Sequence, residues 1–451
     1  MAHRRLRTGA TTLLVGEDGG LLRARGVRYG TAERFAPPRP PDAQPGVVDA
    51  TRPGPICPQL PSRLASVTGP GVEGLTASED CLVLSVTAPA GASGLPVMVW
   101  FHGGAYMTGG GEQRRYDPGP LVREGGVVVV NVTYRLGVFG YLTPDPFPDN
   151  LGLRDQILAL RWVRDHIAAF GGDPGNVTAF GQSAGADSVL SLMLCAEADG
   201  LFRRAIMQSA PLGLRDKRDA MTAAMRRASA AAAAPGATVE QVLAAQAAAT
   251  VAAQRFGVLG GLPFAPILGQ APLPSLAEVP ARLAGAAARV ELLIGYTKDD
   301  AAPFVALNRR AAAVGRLGPP GRAAIRSVVA AATRRVFGDP VRRLARTWGD
   351  AVATYRFDWT PADGPFGACH CIELPFLLGT PETWARAPML GSGGIDRELA
   401  LRLRACWAGF AHDGLAALPT RTRPSPSTGR PTLIYTYLAH ALIMGSHVRR
   451  A

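Results

Sequence analysis

Runs of apolar residues along the chain predict the centre of the fold. Residues 96–101 (PVMVWF), 127–133 (VVVVNVT) and 177–180 (VTAF) are mostly apolar and do not alternate with polar residues. Such runs are typical of strands that are buried on both faces of a sheet. Further strands are predicted at the alternating run 82–88 (LVLSVTA) and at residues 291–294 and 351–357.

An amphipathic helix is predicted between the second and third of these runs. Apolar residues recur at helical spacing through residues 151–170, and Gly171 and Gly172 end the pattern. The succession of strand, helix and strand implies right-handed crossovers and a parallel sheet. We therefore expect an α/β fold with a mostly parallel central sheet flanked by helices. The alanine-rich residues 218–254 are also predicted to be helical, the first 60 residues to be irregular after an N-terminal hairpin, and residues 421–431 to form a loop.

Composition and charge change this picture little. The chain has 451 residues, of which 47% are hydrophobic and 18% charged, and this balance is globular. The net charge of +13 raises the question of nucleic acid or an anionic membrane. However, all but two of the 48 basic residues are arginines spread along the chain, which favours a compositional origin. In addition, no apolar stretch approaches the ~20 residues of a membrane span. We therefore expect neither nucleic acid nor a membrane as a partner.

Cysteine spacing and the N-terminus bear on metals and location. None of the six cysteines has C-x-x-C spacing, so no structural zinc site is expected. The basic N-terminus precedes an apolar run that is too short for a secretory signal. The expected location is cytoplasmic, with export by a route not visible in the sequence as the alternative.

Residues 181–185 (Gly-Gln-Ser-Ala-Gly) form the G-x-S-x-G pattern of a nucleophile elbow. The pattern follows the predicted strand 177–180 and opens an apolar helical stretch at residues 184–194. This strand, tight turn and helix lift a serine hydroxyl above the sheet edge, and small neighbours avoid collisions in the turn. Ser183 is therefore the predicted nucleophile.

A serine nucleophile needs a histidine base that is oriented by an acid. In elbow-type hydrolases the three residues follow in the order serine, acid, histidine. His370, His412 and His440 satisfy that order, and spacing alone leaves the choice among them open.

The segment FHGGAY, residues 101–106, is a candidate oxyanion loop. Its small residues allow backbone N–H groups to approach a developing oxyanion. Ala105 occupies the third glycine position of an HGGG-type loop, and the amide of Ala184 is the remaining donor. Phosphate binding is disfavoured because no G-K-[ST] follows.

The sequence as a whole resembles the type B carboxylesterases, the family of cholinesterases and bacterial para-nitrobenzyl esterases. The resemblance covers most of the chain and is most specific between residues 150 and 185. It implies an α/β-hydrolase fold. The segments that carry it are SEDCLVLSV (78–86), VMVWFHGGAYMTGG (97–110), NVTYRLGVFGYL (131–142), NLGLRDQILALRWVRDHIAAFGGDPGNVTAFGQSAG (150–185), LFRRAIMQSA (201–210), LPFAPIL (262–268), LLIGYTKDDAAPF (292–304) and GACHCIELPFLLG (367–379).

By this resemblance Ser183 is the nucleophile, His370 the base and Asp300 the acid. The family usually has Glu at the acid position, so Asp300 is a departure, and Asp299 is the alternative. The resemblance also implies oxyanion donors at Gly104, Ala105 and Ala184, and a disulfide between Cys57 and Cys81. Aromatic residues that line the pocket or fill the core are Tyr106, Phe139, Phe264 and Phe304.

The implied function is a serine carboxylesterase that acts on a small-molecule ester without metal or cofactor. The alternative is an inactive binding or adhesion protein with the same fold. One domain, residues 1–451, is expected, with cap-like insertions around 210–262 and 305–350. The sequence does not indicate an oligomeric state.

Overall fold

The structure is a computed structural model that describes residues 2–42, 46–419 and 433–437, the last stretch by its backbone alone. Its strands form one sheet. Their bounds are β1 (Ala2–Thr8), β2 (Thr11–Asp18), β3 (Leu21–Arg28), β4 (Val47–Asp49), β5 (Val83–Pro89), β6 (Leu95–Phe101), β7 (Val128–Val132), β8 (Gly172–Gln182), β9 (Arg204–Gln208), β10 (Glu291–Thr297), β11 (Val352–Phe357) and β12 (Leu433–Tyr437).

The strand order is β1-β2-β3-β5-β7-β6-β8-β9-β10-β11-β12, with β4 paired to β2. The six strands from β7 to β11 in this order are mutually parallel. The strands outside them, β5 and β12, join antiparallel. The predicted α/β fold with a mostly parallel sheet is therefore confirmed.

Helices connect and cover the strands. Their bounds are α1 (Ala65–Thr68), α2 (Gly119–Gly125), α3 (Gly137–Gly140), α4 (Leu151–His166), α5 (Ala184–Leu194), α6 (Asp219–Ser229), α7 (Val239–Gln254), α8 (Val279–Ala287), α9 (Ala302–Ala306), α10 (Arg309–Gly315), α11 (Gly318–Thr333), α12 (Asp339–Trp348), α13 (Leu374–Leu377), α14 (Pro381–Trp384) and α15 (Arg397–Asp413).

A hydrophobic core covers each face of the sheet. In β6, Val97, Val99 and Phe101 belong to one cluster of buried residues, while Met98 and Trp100 belong to the other. Successive side chains of a strand point to opposite faces, so this division follows from the pleat. It explains why the central strands read as unbroken apolar runs.

The predicted elements are present, with differences at some bounds. The N-terminal hairpin forms between β1 and β2, and α4 covers the predicted helix. The alternating run 82–88 does form a strand, but residues 83–88 of β5 are all buried because the sheet is covered on both sides. The expectation that the first 60 residues are irregular after the hairpin was wrong, because β3 pairs with β5 and β4 pairs with β2 in the same sheet. Strand β9 and helix α15 were also not predicted.

The two predicted insertions are helical. Helices α6 and α7 pack against each other within residues 210–262, and α9 to α12 occupy most of residues 305–350. Their role as caps stays a prediction. The predicted loop at 421–431 and the candidate base His440 lie outside the described residues. Within the described residues, no helix is long and apolar enough to cross a membrane.

Candidate active site

The candidate residues meet at one edge of the sheet. Ser183 follows the last residue of β8, Ser209 follows β9, and Asp300 comes three residues after β10. These neighbouring strands are parallel, so their carboxyl ends lie side by side, where α/β sheets bind ligands. The end of β6, at Phe101, delivers the glycine-rich loop to the same edge.

The turn at Ser183 has the strained geometry of a nucleophile elbow. Ser183 has φ 58° and ψ −123°, which is rare for a residue with a side chain. The flanking glycines are required by space. A Cβ on Gly181 would lie 2.5 Å from the carbonyl carbon of Gly185, and a Cβ on Gly185 would lie 1.9 Å from the carbonyl oxygen of Phe101. The close approach of α5 to β6 thus demands this spacing of glycines.

Asp300 and His370 are in direct contact. The Nδ1 of His370 lies 2.5 Å from Oδ1 of Asp300, and both side chains are buried. The other carboxylate oxygen accepts hydrogen bonds from the Ser209 hydroxyl at 2.7 Å and from the Thr297 amide at 3.0 Å. With three donors around it, the Asp300 carboxylate is held in one orientation, which suits an acid that fixes the imidazole.

Asp299, the alternative acid, has another partner. Its carboxylate accepts from the amide of Ala368 at 3.1 Å, and its own amide donates to the carbonyl of Ala368. It pairs with Cys369 in a β-bridge. These contacts of Asp299 hold the loop before His370 close to the end of β10. Asp300, whose side chain is one methylene shorter than the Glu usual in the family, can therefore reach the imidazole.

The second ring nitrogen of His370 faces Gln182. The side-chain amide of Gln182 lies 3.2 Å from His370 Nε2, and no hydrogen bond joins Ser183 Oγ to His370 within the described residues. Because Nδ1 is directed at a carboxylate, we assign its proton there, and Nε2 then accepts from Gln182. An unprotonated Nε2 is the form that a general base needs. Catalytic hydrogen bonds are often formed only once substrate binds.

His412 is not near this site. It lies on α15, and its Nε2 is 2.9 Å from the carbonyl oxygen of Gly125, at the end of α2. Among the described histidines that follow Ser183, His370 is the one that contacts a carboxylate.

Two aromatic rings flank the imidazole of His370. The ring centroid of Phe304 lies 5.1 Å from that of His370, and the ring of Phe337 lies 5.6 Å from it. Phe304 is 38% exposed, whereas Phe337 is buried in a π-helical turn that follows α11. The buried imidazole of the base therefore has two aromatic neighbours, of which Phe304 also reaches the protein surface.

The glycine-rich loop presents unused amide groups beside Ser183. Gly104, Ala105 and Tyr106 all have positive φ, at 115°, 56° and 59°. The amides of Gly104 and Ala105 have no acceptor within the described chain, and that of Ala184 opens α5, where a helix leaves N–H groups unpaired. A Cβ added at Gly103 would be 3.2 Å from the Cβ of Ser183. This arrangement suits the binding of an oxyanion.

His102 supports that loop from below. Its ring is fully buried, stacks on Tyr134 at 4.4 Å, and its Nδ1 donates to the carbonyl of Gly103 at 2.8 Å. Burial lowers the pKa of His102 to about 4, so the ring is neutral at neutral pH. This matches a supporting role rather than a role as base.

Three of the four candidate pocket aromatics are core residues. Tyr106 is fully buried and donates its hydroxyl to Asp187 at 2.6 Å. Phe139 is 2% exposed and stacks near Phe35, and Phe264 is 1% exposed. Since these side chains present almost no surface to solvent, their assignment to a substrate pocket is corrected, and only Phe304 lies beside the base.

Cys57 and Cys81 are neighbouring thiols rather than a disulfide in this structure. A hydrogen bond with Cys57 and burial raise the pKa of the Cys81 thiol, and the sulfur of Cys57 accepts from the amide of Leu136 at 3.3 Å. The disulfide that the family resemblance implies between them stays a prediction.

Four residues that the sequence reasoning did not single out complete the site. They are Gln182, Ser209, Phe337 and Glu373. Gln182 is the variable residue of the elbow, and Ser209 is the second-last residue of the LFRRAIMQSA segment, so position in a motif was the available signal for both. Glu373 is buried three residues after His370, and burial raises its pKa to about 8. Within the described residues, no cluster of His, Cys, Asp and Glu is suited to a metal ion.

Several known proteins are similar to this chain in sequence. The sequence profile of the carboxylesterase family matches residues 21–316. A protein described as a probable N-octanoylanthranilate hydrolase, from Rhodococcus erythropolis, is 43% identical over 87% of this chain and 89% of its own length. The para-nitrobenzyl esterase of Bacillus subtilis is 34% identical over 92% and 91%.

A solved PNB esterase structure agrees in fold. It superposes with a TM-score of 0.74 and 32% identity, covering 92% of this chain and 91% of the other. The family profile and the full-length relatives point to the same conclusion: the chain belongs to the carboxylesterase family.

Proposed function

We propose that this carboxylic ester hydrolase works through an acyl-enzyme on Ser183, with His370 as base and Asp300 as the acid that orients it. The observation that carries the proposal is the 2.5 Å contact between His370 Nδ1 and Asp300 Oδ1, which leaves Nε2 unprotonated at the edge where Ser183 projects. The intact serine, histidine and acid also oppose the alternative of an inactive binding protein.

In the first half of the reaction, Ser183 Oγ attacks the ester carbonyl while His370 Nε2 takes the serine proton. To do so, Nε2 exchanges its contact with Gln182 for one with Ser183. The carbonyl oxygen becomes an oxyanion, which the amides of Gly104, Ala105 and Ala184 hold. When the intermediate collapses, the alkoxide leaves with the proton from His370, and the acyl group stays on Ser183.

In the second half, water replaces the alcohol. His370 takes a proton from the water as its oxygen attacks the acyl carbon, and a second oxyanion forms in the same loop. Collapse returns the proton to Ser183 Oγ and releases the carboxylic acid. Asp300 keeps the imidazole tautomer throughout and stabilises the transient imidazolium.

The favoured substrates are esters with an aromatic leaving group. Phe304 and Phe337 flank the base that must protonate the departing oxygen. An aromatic alcohol beside these rings gains offset or edge contacts, on the order of 1 kcal/mol per pair. The names of the two relatives, para-nitrobenzyl esterase and N-octanoylanthranilate hydrolase, both denote substrates with an aromatic ring at this side.

A second activity is hydrolysis of N-acyl aromatic amines. The relative at 43% identity is named for such a compound, with an octanoyl group on nitrogen. The same residues suffice, since His370 would protonate the departing amine in place of an alcohol.

The decisive experiment compares the parent with Ser183→Ala on a para-nitrophenyl ester. Loss of the nucleophile is expected to lower kcat on the order of 10⁶-fold, as in other triads. Ser327→Ala, on the exposed face of α11, is the matched control and should retain full activity.

A fluorophosphonate should label the parent and the control but not Ser183→Ala. A variant that keeps activity within about tenfold of the parent would refute the assignment of Ser183.

A further inference from the structure

One helical segment carries a large share of the net positive charge of this protein. Residues 302–335, which comprise α9, α10, α11 and the start of the π-helical turn, are called here the arginine cap. They contain seven arginines and no acidic residue, and so account for seven of the thirteen net charges of the chain. A composition biased toward arginine does not by itself explain the exclusion of Asp and Glu from 34 consecutive residues.

All seven arginines of the cap are exposed. Within the described residues, none of their guanidinium groups forms an ion pair or hydrogen bond. Elsewhere on the surface arginines do pair, as Arg164 does with Asp165 at 2.7 Å and Arg282 with Asp199 at 2.8 Å. The seven residues are Arg309, Arg310, Arg316, Arg322, Arg326, Arg334 and Arg335.

The cap also exposes large apolar side chains. Leu317 is 72% exposed, and five of the eleven exposed large hydrophobic residues of the described chain lie in this segment. Monomeric proteins rarely expose apolar groups together, and apolar surface interleaved with basic residues is typical of helices that lie in a membrane interface. The five residues are Phe304, Leu307, Val314, Leu317 and Val328.

The three helices form one packed unit. Helices α9, α10 and α11 contact one another. Gly321 of α11 lies so close to α10 that a Cβ there would be 2.1 Å from the carbonyl oxygen of Val314. The arginines and apolar side chains are thus carried on one body rather than on separate loops.

The cap borders the candidate active site. Phe304 is both an exposed apolar residue of the cap and a neighbour of the His370 ring, at 5.1 Å. A surface bound by the cap would therefore lie beside the catalytic base.

We propose that the arginine cap docks onto an anionic lipid surface and that esters reach the site from that surface. The arginines attract acidic headgroups, and the apolar side chains enter the headgroup region. Nucleic acid would use the charge but would leave Leu317 and Val328 exposed to water. The proposal concerns a docked chain and not a spanning one. Its link to ester delivery rests on the proposed function, whereas the docking itself does not.

The test measures binding without turnover, in the Ser183→Ala background, so that failure of docking is distinct from failure of the catalytic assignment. The probes are vesicles of phosphatidylcholine mixed with phosphatidylglycerol, and vesicles of phosphatidylcholine alone. We expect co-sedimentation with the anionic vesicles only, weakened by high salt.

Two triple variants distinguish the effect of the cap arginines from the effect of the net charge of the chain. Arg309→Gln, Arg310→Gln and Arg316→Gln together should weaken partition by at least about tenfold, since each arginine near an anionic surface adds to the attraction. The control is Arg4→Gln, Arg5→Gln and Arg7→Gln, three arginines of β1 at the opposite edge of the sheet, which should bind like the parent.

A third variant, Leu317→Ser with Val328→Ser, should weaken binding while keeping the charge. Equal loss in the cap and control triples would overturn the proposal, because net charge would then suffice. The proposal would also be overturned if the parent bound duplex DNA but not vesicles. Self-association of the parent through the cap, without vesicle binding, would overturn it as well. The cap triple should hydrolyse a water-soluble ester at the parental rate.

Discussion

At the scale of single residues, Ser209 shows how one hydroxyl group prepares the base. It donates to the carboxylate oxygen of Asp300 that does not face His370. Its own φ of 50° is strained and places the hydroxyl directly after β9. The imidazole is thus held by a chain of contacts that begins at the end of a neighbouring strand.

Ser209→Ala is therefore expected to lower kcat on a para-nitrophenyl ester by about tenfold, with KM little changed. A hydrogen bond to a charged group contributes roughly 1.5–3 kcal/mol, and the Thr297 amide still holds Asp300. Ser229→Ala is the matched control, because it also removes a buried serine hydroxyl, one that donates to the Met225 carbonyl. Equal kcat values for the two variants would contradict this role.

Glu373 makes stability depend on pH. Burial raises the pKa of Glu373 from 4.5 to about 8, so the folded chain keeps a proton that the unfolded chain releases. Stability should therefore fall as pH rises from about 4.5 to 8, and level off above that. Gln at position 373 has no ionisable carboxyl group. The free energy of unfolding of Glu373→Gln should therefore not decline over this pH range for this reason.

The measurement is urea unfolding of both proteins at pH 5 and pH 8.5. The difference between variant and parent should shift in favour of the variant by a few kcal/mol at the higher pH. A difference that does not change with pH would show that Glu373 is ionised in the folded chain.

Sequence reasoning at this scale succeeds where a motif restricts the backbone. Ser183 lies at a turn that only small neighbours permit, so its place could be predicted from the pattern alone. The acid that contacts His370 could not be predicted from the pattern, because Asp299 and Asp300 are adjacent. Only the β-bridge between Asp299 and Cys369 decides which of the two faces His370. Tyr106 and Phe139 were open between pocket and core because aromatic residues serve both.

At the scale of elements, the contact between α5 and β6 holds the nucleophile and the oxyanion loop together. Gly185 makes this contact possible, because a Cβ there would lie 1.9 Å from the Phe101 oxygen and 2.8 Å from that of His102. Both atoms are backbone, so no side-chain rotation can relieve the overlap.

Gly185→Ala is expected to destabilise the chain by ~3 kcal/mol or more and to lower activity further than stability alone predicts, since the loop after β6 must move. Gly175→Ala is the control, because its Cβ would meet only the Asp173 side chain at 3.2 Å. Thermal unfolding and ester hydrolysis test both. Parental stability in Gly185→Ala would mean that the helix and strand are farther apart than described.

The elements that sequence reasoning found are those whose pattern is simple. The central strands are covered on both faces and read as apolar runs. Strand β9 was missed because its five residues begin with Arg204 and end with Gln208, so that little apolar sequence marks it. Helix α15 was missed although it carries a signal, since Asp396 caps it and Leu399, Leu403 and Trp407 recur at helical spacing.

At the scale of the whole molecule, the fold gathers residues from distant parts of the sequence. The glycine-rich loop, Ser183, Asp300 and His370 are brought together by the order of strands in the sheet. That order could be inferred only as a preference for parallel crossovers, so the resemblance to a family carried the assignment further than periodicity did. The run of arginines without acidic residues in the arginine cap is visible in the sequence, whereas the exposure and lack of pairing of these side chains emerge only from the structure.

The burial of the cysteines has a practical consequence. All six lie within the described residues, are buried and form no disulfide there. A thiol reagent should therefore react with the folded chain only as fast as the chain opens. Cys369 and Cys371 flank His370, whereas the other four lie elsewhere in the chain, at Cys57, Cys81, Cys195 and Cys406. The rates of alkylation at the six sites therefore distinguish two events. Early reaction of Cys369 and Cys371 would report local opening of the loop that carries the base, whereas equal rates at all six would report unfolding of the whole molecule.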